Sequence, residues 1–292
     1  MTTPGPASEV PDQIDTQPLR LPYLPAPPSD GSDEALLQLP PPDMPRWSED
    51  STILLRTPGS CVEKLLSNIV VKSGRAVLLD EAHGLQFASQ LDLPGPRLHK
   101  AQQIGDNVVA IHMDFVEGQQ LDELWPNMSE SEKLAIAHQL RDILQTMRSI
   151  PSDSGIIGSC KGGPARDCRR ICAYKGGPFQ HQEDFNKFVL DLYEVTPTTI
   201  RDALTRSLRS DYRILFAHGD LTQRNIIVKD DKIVALIDWE YSGWFPEYWD
   251  YIKFFERHST NRDWKEYAKE IFPETYDNEL VLFQAITRWQ NP

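Results

Sequence analysis

Asp220, Asn225 and Asp238 are the residues whose types and spacing could do chemistry in this chain. They stand in Phe216-Ala217-His218-Gly219-Asp220-Leu221-Thr222-Gln223-Arg224-Asn225-Ile226 and in Val234-Ala235-Leu236-Ile237-Asp238-Trp239-Glu240. Two carboxylates and an amide thus fall at the ends of short apolar runs, where strand-to-loop turns would hold them on one rim. A phosphoryl group in transfer is highly charged, so its chemistry is mostly positioning and charge neutralisation. Hard oxygen ligands hold Mg2+ against the phosphates, and a further carboxylate orients the attacking hydroxyl. Asp220 fits the hydroxyl-orienting base, and Asn225 and Asp238 fit the metal ligands.

The elements that must position them follow from the flanking residues. Asp220 and Asn225 are five residues apart, which a tight loop can close before Ile226-Ile227-Val228 continues as a buried strand. After the turn Lys229-Asp230-Asp231-Lys232, the run Ile233 to Ile237 reads as the returning hairpin strand and carries Asp238 back to the same rim. A lone Asp before a strand is usually a cap or turn residue. The joint placement of all three between apolar runs is what points to chemistry. His218 reads as a brace for the loop through hydrogen bonds, with general-base duty the alternative. Arg224 stays open between a solvated loop charge and a phosphate contact.

The pattern His-Gly-Asp-x₄-Asn followed by Ile-Asp-Trp-Glu resembles the aminoglycoside phosphotransferase and choline kinase family, which shares the protein-kinase-like fold. Protein kinases carry His-Arg-Asp-x₄-Asn and then Asp-Phe-Gly, with the same Asp-to-Asn spacing. Here Gly219 replaces the Arg and Trp239-Glu240 replaces Phe-Gly, a departure toward the small-molecule kinases. The likeness runs from about Ile53 to the C-terminus and is strongest over residues 216–250. It implies an α+β, protein-kinase-like two-lobed fold, with a small β-rich N-lobe and a larger, mainly helical C-lobe. It also implies ATP and Mg2+ as cofactors and a small-molecule hydroxyl as acceptor.

Such a fold needs a strand-borne Lys and a helix-borne Glu in the first lobe. Asn68-Ile69-Val70-Val71-Lys72 is a short β-branched run, and Asp80 to Ala88 reads as a helix with Glu81 in its first turn. By the resemblance, Lys72 grips the α/β-phosphates and Glu81 pairs with it. Val108 to Gly118 reads as a long apolar strand running into a Gly turn, and by the resemblance it is the inter-lobe hinge, where Asp114 to Val116 would offer main-chain hydrogen bonds to adenine. The glycine-rich phosphate cover of protein kinases is absent. Arg56 to Lys64 holds the single Gly59.

Composition agrees with one two-lobed domain and a tail. The chain has 292 residues, 40% of them apolar, and no repeats, enough to bury a large core. Residues 1–45 hold twelve of the 23 prolines, and residues 1–50 hold nine Asp and Glu against two Arg, giving −7 of the total −13. That segment buries too little to offset its ordering entropy, so it is expected to be disordered or draped on the folded body, with a Pro-rich docking ligand as a further reading. The acidity argues against nucleic-acid partners, since no basic stripe is present. No apolar run approaches the roughly 18 residues that span a bilayer, and the N-terminus is no signal peptide, so a soluble, cytoplasmic protein is expected. Cys61, Cys160, Cys168 and Cys172 lack Cys-x-x-Cys spacing and are expected as free thiols.

Ser129 to Ile150 is the clearest helix. Ser129 and Glu132 form a capping box, and Leu140, Ile143, Leu144, Met147 and Ile150 recur at spacings of three or four. Pro151 to Pro178 breaks into Gly, Pro and Cys and is expected as a long loop on the acceptor rim, with disorder the alternative. Tyr241, Trp244, Phe245, Tyr248, Trp249 and Tyr251 crowd the stretch after Asp238. With Glu240, and Tyr241 and Trp244 foremost, they could hold a cationic amine, or they could simply pack the helical lobe. The resulting division is a tail at 1–45, a nucleotide-binding N-lobe at 46–116 and a catalytic and acceptor-binding C-lobe at 117–292. The expected function is transfer of the γ-phosphoryl group of ATP to an amino alcohol, an aminoglycoside-like compound or another hydroxylated metabolite. A nucleotide-binding pseudokinase or assembly partner without turnover is the alternative. A protein kinase is disfavoured because no Ala-Pro-Glu follows Asp238.

Overall fold

The structure is a computed structural model that describes residues 19–20, 47–48, 50–104, 107–152, 154–169 and 173–290. Of the tail, only Leu19–Arg20 is described. It forms β1 and pairs antiparallel with a later strand, Leu19 opposite Lys175 and Arg20 opposite Tyr174. The rest of the tail reading, and Cys172, lie outside the described residues. Cys61, Cys160 and Cys168 are free thiols.

The first lobe is a five-stranded antiparallel sheet. Its strands are β2 (Thr52–Thr57), β3 (Ser60–Lys64), β4 (Ile69–Gly74), β5 (Leu98–Ile104) and β6 (Val108–Asp114), in the spatial order β2-β3-β4-β6-β5. Arg56 to Lys64 is therefore a hairpin turning at Pro58-Gly59. The β-branched runs of β4 and β6 pair Val71 with His112 and Lys72 with Ile111, and bury Val71 and Ile111 fully. Helix α1 (Leu79–Gln90) crosses between β4 and β5 in sequence, with Asp80 and Glu81 in its first turn, where acids favour the helix dipole.

The second lobe starts with the short β7 (Gln119–Gln120) and α2 (Leu121–Leu124). Its long helix α3 runs Glu130–Arg148, capped reciprocally by Ser129 and Glu132. Ile136, Ala137, Leu140, Leu144 and Met147 form its buried stripe, while Ile143 and Ile150 are half-buried. Pro151 to Pro178 is not a loop. It holds β8 (Gly158–Ser159), β9 (Ala165–Cys168) and β10 (Ala173–Gly176). Gly and Pro gave the stretch its loop-like composition, but Ile157, Ala165 and Phe179 enter the core and fix it there. Helices α4 (Gln182–Leu190) and α5 (Thr198–Ser207) precede β11 (Ile214–Ala217), β12 (Ile226–Lys229) and β13 (Lys232–Leu236). The chain closes with β14 (Gly243–Pro246), α6 (Trp249–Glu256), α7 (Ala268–Ile271) and α8 (Asp277–Gln290). Among the described residues, no helix is long and apolar enough to cross a membrane.

One buried ion cluster joins β9 to α6. Asp167 and Lys253 are 3% and 2% exposed and lie 2.5 Å apart, and Arg169 Nε reaches Asp167 at 2.7 Å. Burial works against the Asp167 charge, but Lys253 and then Arg169 outweigh it and hold its carboxyl at about 2. Its folded value lies below its unfolded one, so this contribution to stability is complete above about pH 4 and is lost as pH falls towards 2. Asp167→Asn takes one of two carboxylates from the buried Lys253, which keeps Glu256 at 2.5 Å, and is expected to lower stability by about 1–3 kcal/mol at neutral pH. Urea unfolding across pH 2–6 checks this, because the variant should also lack the wild type's added loss of stability over that acid interval.

Candidate active site

Strand β11 is buried along its whole length and delivers His218-Gly219-Asp220 into the interior. Gly219 has φ +77°, and a Cβ there would lie 2.5 Å from the Tyr241 carbonyl oxygen. That close approach of two backbones explains glycine where protein kinases carry arginine. The turn is braced from two sides. Asp250, on α6, accepts the amides of His218 and Gly219 at 3.2 and 2.8 Å. His218 Nδ1 accepts the Asp220 amide at 3.3 Å, which leaves Nε2–H to donate to the Ile237 carbonyl at 3.1 Å. Burial pulls the His218 pKa down, in keeping with a neutral, bracing imidazole.

Asn225 ends a 3₁₀ turn (Gln223–Asn225) and donates Nδ2 to the Asp220 carbonyl at 2.9 Å and to its carboxylate at 3.0 Å. The Ile237 amide donates to the Asn225 carbonyl at 3.0 Å, so the residue before Asp238 is tied to the loop of Asp220. Asp238 itself is left-handed, φ 67° and ψ 60°. Its Oδ1 accepts Lys72 Nζ at 2.7 Å, and the same Nζ donates to Glu81 Oε1 at 2.9 Å. Helix α1 brings Glu81 in through Gly84, where a Cβ would overlap Ser242 Oγ at 1.9 Å and approach the Trp239 carbonyl. Burial pulls Lys72 down, but Glu81, Asp238 and Glu240 outweigh it and hold the ammonium above its ordinary value. Burial likewise pushes the Glu81 carboxyl up to about 7, with Lys72 pulling against it.

The donor set fits a hard divalent cation. Among the described residues Asn225 hydrogen-bonds through its side-chain Nδ2 and Asp238 through Oδ1, which leaves Asn225 Oδ1 and Asp238 Oδ2 as oxygens a cation could use. Among the described residues, no group of three His, Cys, Asp or Glu could hold a metal alone. Mg2+ commonly takes one or two carboxylates and completes its shell with phosphates and water, so the two facts agree.

At the hinge, the Asp114 amide is spent on the Arg97 carbonyl at 3.1 Å and the Phe115 amide on that of Asn68 at 2.9 Å. The Asp114 carboxylate accepts Arg97 and His99. Of the three expected positions, Val116 alone has an amide with no partner among the described residues, the amides of Asp114 and Phe115 being already taken.

Most of the aromatic cluster takes the packing alternative. Phe245, Tyr248, Trp249 and Tyr251 are buried in the core, and half-buried Trp244 lies edge-on to Phe87 and against Phe216. Large apolar rings gain most by leaving water, and the small strands and α6 give them a place to do so. Glu240 and Tyr241 do lie by the Asp220 turn, but arginines already occupy them. Arg166 Nη1 contacts Glu240 Oε2 at 3.3 Å, and the guanidinium carbons of Arg166 and Arg257 each lie 4.9 Å from the Tyr241 ring centre. Arg257 Nε also meets Asp220 Oδ1 at 2.8 Å. Arg224 is 61% exposed with Nη2 3.7 Å from Asp220 Oδ2. Sequence reading missed Arg166 and Arg257, because they lie 54 and 37 residues from Asp220 on separate elements and no local spacing marks them.

A five-stranded sheet bearing Lys72, with a helix bearing Glu81, set on a mainly helical lobe bearing Asp220, Asn225 and Asp238, is the protein-kinase-like fold. Solved structures agree with that class. The aminoglycoside phosphotransferase APH(4)-Ia superposes with a TM-score of 0.58 at 14% identity, covering 82% of this chain and 83% of that one. APH(2")-IIia gives 0.56 at 14% identity with 84% of both chains covered, and APH(3'')-Id from Streptomyces rimosus gives 0.53 at 16% with 82% and 93%. No curated protein sequence matches the chain. The model of the phosphotransferase enzyme family matches residues 68–273, well over half of the chain, and the chain belongs to that family.

Proposed function

We propose that this phosphotransferase moves the γ-phosphoryl group of ATP to a hydroxyl of a small molecule, with Mg2+. The carrying observation is that Asp220, Asn225, Asp238, Lys72 and Glu81, drawn from both lobes, form one connected set of contacts. In this reading Lys72 holds the nucleotide phosphates, positioned by Glu81, and Asn225 and Asp238 hold the metal. A Mg2+ held by these two residues would supply neutralisation of the phosphate charge. Asp220 orients the acceptor hydroxyl and takes its proton. The acceptor oxygen forms a bond to the γ-phosphorus as the bond to the β,γ-bridging oxygen breaks, and ADP leaves. The Val116 amide is the hinge donor for adenine. Structural neighbours support the substrate classes, being described with AMP-PNP and hygromycin B, with GDP and kanamycin, and with ATP and streptomycin. A soluble metabolite in the cytoplasm is the matching acceptor. ATP consumption across a metabolite library tests the proposal.

A second reading, a nucleotide-binding protein without turnover, draws on the 2% exposure of Asp220 beneath Arg257 and on the hairpin with one glycine. Nucleotide binding with no ATP consumption by any library member would favour it.

The metal assignment gives a graded expectation. Asp238→Ala should weaken nucleotide binding in Mg2+ by about ten-fold or more, and Asn225→Ala by less, since a carboxylate neutralises charge and an amide does not. Titrating AMP-PNP with and without Mg2+ checks it. Equal Mg2+-dependent affinities in wild type and Asp238→Ala would remove Asp238 from the metal.

A further inference from the structure

We propose that the acceptor carries an oxyanion, a carboxylate or phosphate group near its reacting hydroxyl, and that Arg257 and Arg166 receive it. This rests on the phosphotransferase reading, because it concerns the second substrate of the same site.

The two guanidinium groups are built in rather than solvated. Their side chains are 11% and 9% exposed, and both lie 4.9 Å from the Tyr241 ring. A guanidinium brings five N–H donors in a fixed fork that matches carboxylate and phosphate oxygens. Among the described residues, Arg166 hydrogen-bonds only through Nη1, to the Glu240 carbonyl and carboxylate. The rest of its fork is not committed there.

Asp220 supplies the second observation. Its carboxylate is almost sealed from solvent, with Arg257 Nε against Oδ1 at 2.8 Å and Arg257 Nη2 donating to the Gly219 carbonyl at 3.3 Å. Asn225 Nδ2 donates to the other oxygen, Oδ2, at 3.0 Å, so a hydroxyl that is to meet Oδ1 must draw Arg257 aside. An anionic acceptor does so by exchange, since the guanidinium trades one carboxylate for another oxyanion and stays paired. A neutral or cationic acceptor would leave a nearly buried charge without its partner.

Charge around the site points the same way. Glu240 is the acid a cationic acceptor would use, and Arg166 already holds it. A cation seated on Tyr241 would meet two like charges, with Arg224 3.7 Å from the other Asp220 oxygen as a third. The exchange also sorts substrates, because only an acceptor bearing the anion uncovers the base.

The test titrates the full chain by calorimetry with four matched probes at constant ionic strength: glycerate, glycerol phosphate, glycerol and aminopropanediol. At least one of the two anions should bind about ten-fold more tightly than both glycerol and the amine. Glycerate ahead of glycerol phosphate assigns a carboxylate, and the reverse order a phosphate. Arg257→Gln and Arg166→Gln should each remove most of that preference, and Arg257→Lys should keep part of it. If the variants fail to fold, the wild-type preference decides alone. Anions that bind no better than glycerol or aminopropanediol overturn the proposal. Titration with Mg·AMP-PNP separates the two readings. Failure to bind nucleotide overturns the phosphotransferase reading and leaves the anion preference standing, whereas nucleotide binding without anion preference overturns only the acceptor proposal.

Discussion

Asp220→Asn is expected to lower kcat by about 10²-fold or more while Mg·AMP-PNP still binds. The substitution keeps the side-chain volume, and its amide oxygen can still accept Asn225 Nδ2, which now lies 3.0 Å from Oδ2. The turn therefore keeps its geometry, and His218, Asp250 and Asn225 go on bracing it. What goes is the carboxylate that orients the hydroxyl and takes its proton. The ion pair with Arg257 at 2.8 Å goes as well, so a modest fall in stability should accompany the loss. ADP formation with an acceptor found by the library screen, beside a nucleotide titration, checks both halves. Turnover at the wild-type rate would remove Asp220 from the role of base.

Lys72→Met carries the second large effect, and it shows first in stability. Lys72 Nζ lies 2.9 Å from Glu81 and 2.7 Å from Asp238, so one ammonium serves two carboxylates drawn from different lobes. Methionine fills much the same space and leaves Glu81, 3% exposed, facing an uncompensated negative charge. Removing one partner of a buried pair costs about 3–5 kcal/mol. Nucleotide affinity should fall by about ten-fold or more, since the phosphates lose their cation. The pH dependence has a definite sign. Glu81 is already pushed up to about 7 from an ordinary 4.5, and loss of Lys72 pushes it further. A carboxyl whose folded pKa lies above its unfolded one favours the fold at low pH and loses that favour as pH rises. The variant should therefore recover stability on acidification from neutrality towards pH 5. Urea unfolding at several pH values checks this, and a pH-independent stability difference from wild type would rule out the shared-cation account.

Much of the fold was legible because its signals are local. The capping box at Ser129 and Glu132 and the apolar stripe behind it specify α3 within a few turns. The hairpin of β12 and β13 was readable from two apolar runs around Asp230 and Asp231, both of which take the left-handed backbone that short acidic side chains tolerate. Asp80 and Glu81 likewise open α1 as their position suggests. Pro151 to Pro178 misled because composition registers glycine and proline, whereas β8 there is held by pairing with a distant strand, Gly158 with Trp244, and β10 pairs both with β9 and with the distant Leu19–Arg20. The distant pairings have no signature within the segment itself.

The sequence by itself determined the placement of Asp220, Asn225 and Asp238, since five residues of tight turn and one hairpin leave little freedom in where they lie. It also marked Lys72 and Glu81 as candidates for a pair, through a β-branched run and a helix start nine residues apart. Only the tertiary structure decided what surrounds them. The packing of α6 and β9 sends most of the aromatic stretch into the core, and the same packing brings Arg257 to Asp220 and Arg166 to Glu240. Burial and ion pairing act through space between elements far apart in the chain, and a guanidinium 37 residues from its carboxylate leaves no trace in the spacing of either one.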